Sequence, residues 1–190
     1  MNINELPIYE LTVDEGAVGI YSIAVVRRPA MEARWQAFAS QTEPLKFTVE
    51  DEEKRMILAV LVRADFPIYR RDADGTEYYV VFSKQTIEKM VRMMLANGFE
   101  NTFNNEHRSE TSIKGMEMVQ CFIKNSSKGI NPSGFEDIEE GSCFCQWHVT
   151  SDDVWSAIKE NVWTGVSLEG YFNVKEPVAD SIEDLLKQSR

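Results

Sequence analysis

The sequence predicts an α+β fold, mostly β, in which a mixed barrel or curled sheet of about six or seven strands has helices packed outside it. Three observations lead to this prediction. β-branched, apolar segments recur along the chain, for example at residues 18–27, 55–63 and 143–149. Asp74-Gly75 is a turn dipeptide between two further strand segments. The helical patterns lie between non-adjacent strands and do not alternate with every strand.

Two helices are predicted from capping residues and apolar spacing. Ser83 can cap a helix whose apolar residues recur at helical spacing over residues 87–94, and Gly98 can end it. Residues 151–161 predict a shorter helix that begins at Ser151 and carries two aspartates in its first turn, where the helix dipole favours negative charge.

The chain of 190 residues has the length of one domain, and 43% of its residues are hydrophobic, as in ordinary globular domains. We predict a domain over residues 1–175 and a C-terminal tail, or the start of a linker, over residues 176–190. The tail has the pattern of a loose helix. Residues 31–40 form an amphipathic segment ahead of a strongly charged stretch.

The composition is acidic, with 31 Asp and Glu against 20 Lys and Arg and a formal net charge of −11. Such a chain is repelled by phosphate backbones and anionic lipids, so we expect neither nucleic acid nor membrane as a partner. The acidic N-terminus also lacks the basic start and apolar stretch of a signal peptide. We therefore expect a cytoplasmic protein.

The three cysteines, Cys121, Cys143 and Cys145, are an odd number, which argues against a disulfide framework. Cys143 and Cys145 alternate within a strand segment, so burial in the core is the favoured interpretation. A metal site with the nearby His148 is the alternative, but no second ligand pair has a spacing that would close a tetrahedral zinc site. We predict no metal and no organic cofactor.

Only two histidines are present, which makes the search for a general base short. His107 lies in the polar segment NNEHRS between a helix and a strand, whereas His148 lies inside the alternating strand CQWHV. A histidine at the edge of a polar loop is better placed for proton transfer than one that faces a core. His107 is therefore the better candidate.

Ser167 is the candidate nucleophile, in the segment GVSLEG. Gly165 and Gly170 flank it, and glycine inside a strand often marks the close approach of another backbone. The alternative is a bulged strand at a barrel corner. The spacing is G-x-S-x-x-G and not the nucleophile elbow G-x-S-x-G, so an α/β-hydrolase is not supported. A serine hydroxyl needs an adjacent base, and we expect His107 within hydrogen-bonding reach of it at an accessible surface.

Four segments together carry a family resemblance: GIYSIAVVRRPAMEARW, FPIYRRDADGTEYYVVFSKQTIEKM, NNEHRS and VWSAIKENVWTGVSLEGYF. Through them, residues 18–174 resemble the XkdF-type phage serine proteases, relatives of the prohead proteases. In that family the histidine of the N-x-E-H segment and the serine of the V-S-L-E-G-Y-F segment look like the catalytic pair, which implies His107 and Ser167 here. The resemblance also implies an assemblin-like fold, a β barrel with surrounding helices.

The third catalytic residue departs from the assemblin pattern, because no histidine follows Ser167. Prohead proteases use an acidic residue instead, and the resemblance makes Glu169 the candidate. Glu169 lies two residues after Ser167, which is the same face of an extended strand about 6.6 Å further along. It either orients His107 or faces solvent. Glu106 would point the other way in an extended strand, and His148 is a further alternative from a neighbouring strand.

The resemblance implies a prohead endopeptidase that acts in the host cytoplasm, inside the immature capsid. Its expected substrates are the phage scaffold protein, the major capsid protein and itself, all cleaved through a Ser-His acyl-enzyme. A homodimer is compatible with the resemblance, which leaves the oligomeric state undetermined. One alternative is a non-catalytic capsid-assembly or scaffold-associated protein with the same fold. Another is a cysteine hydrolase that uses one of the three thiols.

Overall fold

The structure is a computed structural model that describes residues 6–14, 16–27 and 48–179, together with residues 182, 184 and 185. The amphipathic segment predicted at residues 31–40 lies outside the described residues. The described strands and helices, in chain order, are β1 Ile8–Thr12, β2 Ile20–Val26, β3 Thr48–Asp51, β4 Met56–Val62, β5 Ile68–Arg71, β6 Glu77–Phe82, α1 Lys84–Asn97, β7 Phe103–Asn105, β8 Arg108–Ile113, β9 Met116–Ile123, β10 Cys143–Val149, α2 Asp152–Lys159, β11 Gly165–Gly170 and β12 Asn173–Ala179.

The strands form three sheets of four strands, with the orders β12-β1-β6-β5, β3-β4-β10-β9 and β11-β2-β7-β8. Most neighbours are antiparallel, and the parallel pairs are β1 with β6 and β2 with β7. The mostly β, α+β composition is therefore as predicted. Across the described residues, the hydrogen bonds do not close these sheets into one barrel.

The predicted count of six or seven strands is too low, because the described chain contains twelve. The missed strands are short or polar and lack the apolar alternation that identifies a half-buried strand. β8, for example, is Arg108–Ile113, and none of its residues is fully buried. The polar segment around His107, predicted as a polar loop between a helix and a strand, is the hairpin β7–β8.

Both predicted helices are confirmed with their caps. The Ser83 hydroxyl accepts a hydrogen bond from the backbone N–H of Thr86, and Gly98 ends α1 with a φ of 72°. The Ser151 hydroxyl likewise accepts from the N–H of Val154 at the start of α2. Neither described helix has the length and apolar composition needed to cross a membrane.

The C-terminal segment differs from its prediction, because residues 176–179 are strand and not helix. They belong to β12, which pairs with β1 from Ile8–Ala179 to Thr12–Asn173. The partner strand decides this conformation, since Pro177 and Val178 have no helical pattern to compete with it. β12 runs through the predicted boundary after residue 175, and that domain boundary stays a prediction.

The main core lies between the sheets β3-β4-β10-β9 and β11-β2-β7-β8. Buried residues from both sheets, from α1 and α2 and from β5 and β6 of the third sheet meet there, among them Ile23, Leu61, Phe82, Met90 and Trp147. A second cluster covers the sheet that contains β1, β6 and β12. The main core supports β2 and β11 from one side and leaves the other face of their sheet for polar residues.

Candidate active site

One face of the sheet β11-β2-β7-β8 carries polar side chains. Ser167 pairs with Ala24, and Ala24 pairs with Asn104, so these three residues form one row across the sheet. Glu169 pairs with Ser22 in a second row on the same face, because strand residues two apart point the same way. The opposite face packs into the main core through Ile23, Val25, Phe103 and Val166.

A tight turn between β7 and β8 carries His107. Asn105 pairs with Arg108 across the turn, and the two residues between them have positive φ, 53° at Glu106 and 60° at His107. Positive φ at both central positions is the condition of a type I′ hairpin, for which Asn and Gly are the usual residues. Glu and His therefore adopt this backbone conformation at a cost in free energy, a feature that clusters at functional sites.

The His107 imidazole contacts the Glu169 carboxylate. Nδ1 of His107 lies 2.9 Å from Oε1 of Glu169. A carboxylate can only accept, so Nδ1 carries the proton in this contact and Nε2 of a neutral ring keeps its lone pair. The His107 side chain is 42% exposed and the Glu169 side chain 13% exposed. The structure thus brings together two of the three predicted site residues in the arrangement of a base and its orienting acid.

Asn104 holds the other oxygen of the same carboxylate. Its Nδ2 donates to Oε2 of Glu169 at 2.6 Å and to the hydroxyl of Ser22 at 3.1 Å. Ser22 in turn donates to the carbonyl of Thr102. Asn104 is 4% exposed, so it is a buried anchor for Glu169. Sequence reasoning missed this residue, although it is the first asparagine of the N-x-E-H segment that carried the resemblance.

Ser167 is more buried than we expected of a nucleophile at an accessible surface, because only 8% of its surface is exposed. β11 lies against β4 as well as β2, and Ser167 lines a narrow cavity with Leu61, Val62, Ile68 and Arg70. None of the hydrogen bonds among the described residues joins its hydroxyl to His107. Ser167 and the His107–Glu169 pair therefore share a sheet face, while a direct Ser167–His107 contact stays a prediction.

Gly170 confirms the close backbone approach that its position in the strand predicts. A Cβ at this residue would lie 2.7 Å from the carbonyl oxygen of Gly19 and 2.4 Å from the ring of Phe172. The pairing of β11 with β2 shifts between Glu169 and Gly170, so the strand bulges here. Only glycine fits, and the bulge lies directly next to the residue that contacts His107.

Two titratable side chains beside the site have shifted pKa values. Burial raises the pKa of Tyr21, and the negative charge of Glu169 raises it further. Arg70, beside Ser167, has a pKa lowered by burial. Its guanidinium donates to the carbonyl of Tyr69. The cavity next to Ser167 therefore combines apolar walls with one cationic side chain.

The two alternative partners of His107 lie elsewhere. The Glu106 carboxylate accepts a hydrogen bond from the backbone N–H of Arg27 at 2.7 Å, so it fastens the turn to the end of β2. His148 is on β10, in a different sheet, where its Nδ1 lies 3.9 Å from Oε2 of Glu117. Glu169 is thus the acidic group that the structure brings to His107.

The comparisons with known proteins agree with the sequence resemblance. The family model described as "Putative phage serine protease XkdF" matches residues 45–176. That range contains β3 to β11 and with them Ser167, His107 and Glu169. No curated protein and no solved structure matches the chain.

Proposed function

Because the chain belongs to the XkdF family of phage serine proteases, we propose that it is a prohead endopeptidase. It cleaves scaffold and capsid precursor proteins, and itself, inside the immature capsid in the host cytoplasm. The observation that carries the proposal is the contact between Nδ1 of His107 and Glu169, on the sheet face that also holds Ser167. In the proposal, this contact supplies the base and the orienting acid of a hydrolytic triad.

In the proposed reaction, Nε2 of His107 accepts the proton of the Ser167 hydroxyl as its oxygen attacks the scissile carbonyl. Glu169 keeps the Nδ1 proton in place and stabilises the imidazolium that forms. The imidazolium then protonates the leaving amine, and His107 activates the water that hydrolyses the acyl-enzyme. Main-chain N–H groups near Ser167 stabilise the oxyanion.

The hydroxyl of Ser167 and Nε2 of His107 share no hydrogen bond within the described part of the chain. Catalytic hydrogen bonds are often long before substrate binds and shorten in the Michaelis complex. On this face the small, buried residues Ser22 and Ala24 of β2 lie between β11 and β7. We propose that substrate binding brings the imidazole onto Ser167.

The fold itself is proposed to be of the assemblin kind. β11 lies against β4, and β8 leads into β9 through residues 114–115 only, so the two sheets that enclose the main core approach each other at both sides. We propose that this arrangement corresponds to a barrel whose seams lack strand hydrogen bonds. The two approaches between sheets support this relationship.

Labelling with a serine-directed fluorophosphonate tests the nucleophile. We expect the wild type to be labelled on Ser167 and the Ser167→Ala variant to lose the label. Ser112→Ala, which changes an exposed serine of β8, is the matched control and should keep it. Labelling that persists in Ser167→Ala would remove Ser167 from the mechanism.

Co-expression with the phage scaffold and capsid proteins tests the substrates. The wild type should yield scaffold and capsid fragments that Ser167→Ala does not yield. Identical patterns from both, in a protein that the fluorophosphonate does not label, would favour the non-catalytic assembly protein. The cysteine hydrolase is the weaker alternative, because among the described residues the partly exposed thiol of Cys121 is hydrogen-bonded to other thiols and to no imidazole.

A further inference from the structure

Three cysteine side chains from two strands meet at one point, on a different sheet from the candidate active site. Cys143 and Cys145 lie two residues apart on β10 and face the main core. Cys121 lies on β9, directly opposite Cys145. Its Sγ is 3.7 Å from Sγ of Cys143 and 3.5 Å from Sγ of Cys145, and all three sulfurs lie within 4.8 Å of one another.

These separations match those of thiolates that share a metal ion. A zinc ion bound to sulfur at about 2.3 Å in tetrahedral geometry holds its sulfurs about 3.8 Å apart. The strands hold the three sulfurs near that spacing through backbone pairing, without a loop that must first close. Three protein ligands leave one position for water or another small ligand, as in open zinc sites.

We propose that Cys121, Cys143 and Cys145 bind one thiophilic d¹⁰ metal ion, Zn²⁺ or Cu⁺, as a three-thiolate site. Soft thiolate ligands select these ions over Mg²⁺ and Ca²⁺, which prefer oxygen. The inference does not depend on protease activity, since none of the three residues belongs to the candidate active site.

Access to the cluster is through its partly exposed member. Cys121 is partly exposed, whereas Cys143 and Cys145 are buried, so a cation would reach the sulfurs at Cys121. Metal ligation requires thiolates, so the three thiols would release their protons to solvent as the ion binds.

Disulfide formation would use the same residues differently. The three thiols are free. A disulfide between Cys121 and Cys145 would leave Cys143 unused, and it would be abolished by reductant. Metal binding, in contrast, needs reduced thiols and uses all three. His148 is no part of the cluster, because its exposed ring faces Glu117.

Cobalt substitution tests the site on the whole chain. The reduced protein is titrated with Co²⁺ as a spectroscopic substitute for Zn²⁺, and separately with Zn²⁺ and, anaerobically, with Cu⁺. We expect one ion per chain and a thiolate-to-cobalt charge-transfer band in the near ultraviolet. Zn²⁺ should displace the cobalt band and slow the alkylation of Cys121 by iodoacetamide at least tenfold. Saturation by Zn²⁺ or by Cu⁺ alone would identify which ion the site takes.

Cys121→Ser is the decisive variant, because Cys121 is the least buried ligand and the least important for packing. It should lower Zn²⁺ affinity at least about tenfold, since even outer-shell partners of metal ligands cost ten- to a hundredfold. His148→Asn, on the same strand as two ligands, should retain wild-type affinity.

The metal titrations of the wild-type chain test the proposal even where a variant folds poorly. A wild-type chain that shows no charge-transfer band and no protection of Cys121 with excess Co²⁺ or Zn²⁺, and that Cu⁺ does not bind, would overturn the proposal. Unchanged metal affinity in a folded Cys121→Ser variant would also overturn the proposal.

Discussion

Asn104 and Glu169 show what single residues contribute to the site. The Glu169 carboxylate uses one oxygen for His107 and the other for Asn104, at 2.9 and 2.6 Å. Both carboxylate oxygens of Glu169 are therefore hydrogen-bonded. The buried side chain of Asn104 fixes the orientation in which the carboxylate meets the imidazole of His107. Such support is what keeps a catalytic base in one tautomer and one orientation.

Replacing Glu169 by glutamine should nearly abolish peptide cleavage. The amide removes the negative charge that stabilises the imidazolium. It also replaces one acceptor oxygen by an NH₂ group, which can only donate, so the hydrogen bond from either His107 or Asn104 is lost. By comparison with the loss of the acid in other triads, we expect kcat to fall about 10³- to 10⁴-fold. Kinetics on a capsid-derived peptide measure this, with Glu110→Gln on the exposed face of β8 as the control. Unchanged kcat in Glu169→Gln would leave His107 without its proposed partner.

Asn104→Ala should reduce kcat with little change in KM. Loss of the amide frees one carboxylate oxygen, and a misplacement of about 1 Å in a catalytic group can cost about a hundredfold in rate. Asn105→Ala is a matched control on the opposite face, where the side chain accepts a hydrogen bond from Trp163. It should affect stability more than kcat. Equal kinetic effects in the two variants would reduce Asn104 to a structural role.

Among the elements, the segment between β9 and β10 depends on one buried lysine. Lys124 is 3% exposed, and its ammonium group donates to the carbonyls of Phe135, Glu136 and Ile138 at 3.0, 2.8 and 2.6 Å. These bonds hold Phe135 and Ile138 against the outer face of β4 and β10, where they cover Phe144. The segment is thus a loop that one buried ammonium group anchors to the sheet.

Lys124→Met should destabilise the protein by at least about 2 kcal/mol. Methionine fills similar space, yet it leaves the buried carbonyls of Phe135 and Ile138 and the partly buried carbonyl of Glu136 without their donor. Each unsatisfied buried group costs about 1–3 kcal/mol. Urea unfolding followed by tryptophan fluorescence measures the change. Lys128→Met, an exposed lysine in the same segment, should be near neutral. Similar stabilities of the two variants would show that the ammonium contacts contribute little.

At the scale of the whole molecule, the C-terminal segment completes a core and is not an appendage. Ala179, Ile182 and Leu185 are buried in one cluster with residues from the N-terminus and β6. β12 also covers the outer side of β1. The two ends of the described chain therefore stabilise each other, although the catalytic candidates lie in another sheet.

A chain that ends at residue 175 should be less stable by at least about 3 kcal/mol, because full burial of one Leu or Ile side chain contributes about 1.5–3 kcal/mol. Urea unfolding of this shortened chain beside the full chain measures the difference. Equal stability would instead support the domain boundary that the sequence predicts after residue 175.

Several elements of this protein could be predicted because the sequence signals for them come from neighbouring residues. Runs of β-branched and apolar residues located β2 and β4, and alternation located β10. Capping residues located both helices, and the turn dipeptide Asp74-Gly75 located the hairpin β5–β6. The family followed from short motifs around His107 and Ser167. Each of these signals depends on residues within a few positions of each other, where backbone sterics and side-chain spacing act directly.

Only tertiary structure decided the pairings that bring distant residues together. Nothing in the polar segment 103–113 marks it as two strands, because its partner β2 lies about 80 residues earlier and supplies the hydrogen bonds that order it. The same long-range pairing brings Glu169 to His107 and Asn104, and the pairing of β9 with β10 brings Cys121 to the other two thiols. Sheet register depends on which strands meet, and no local spacing encodes that choice.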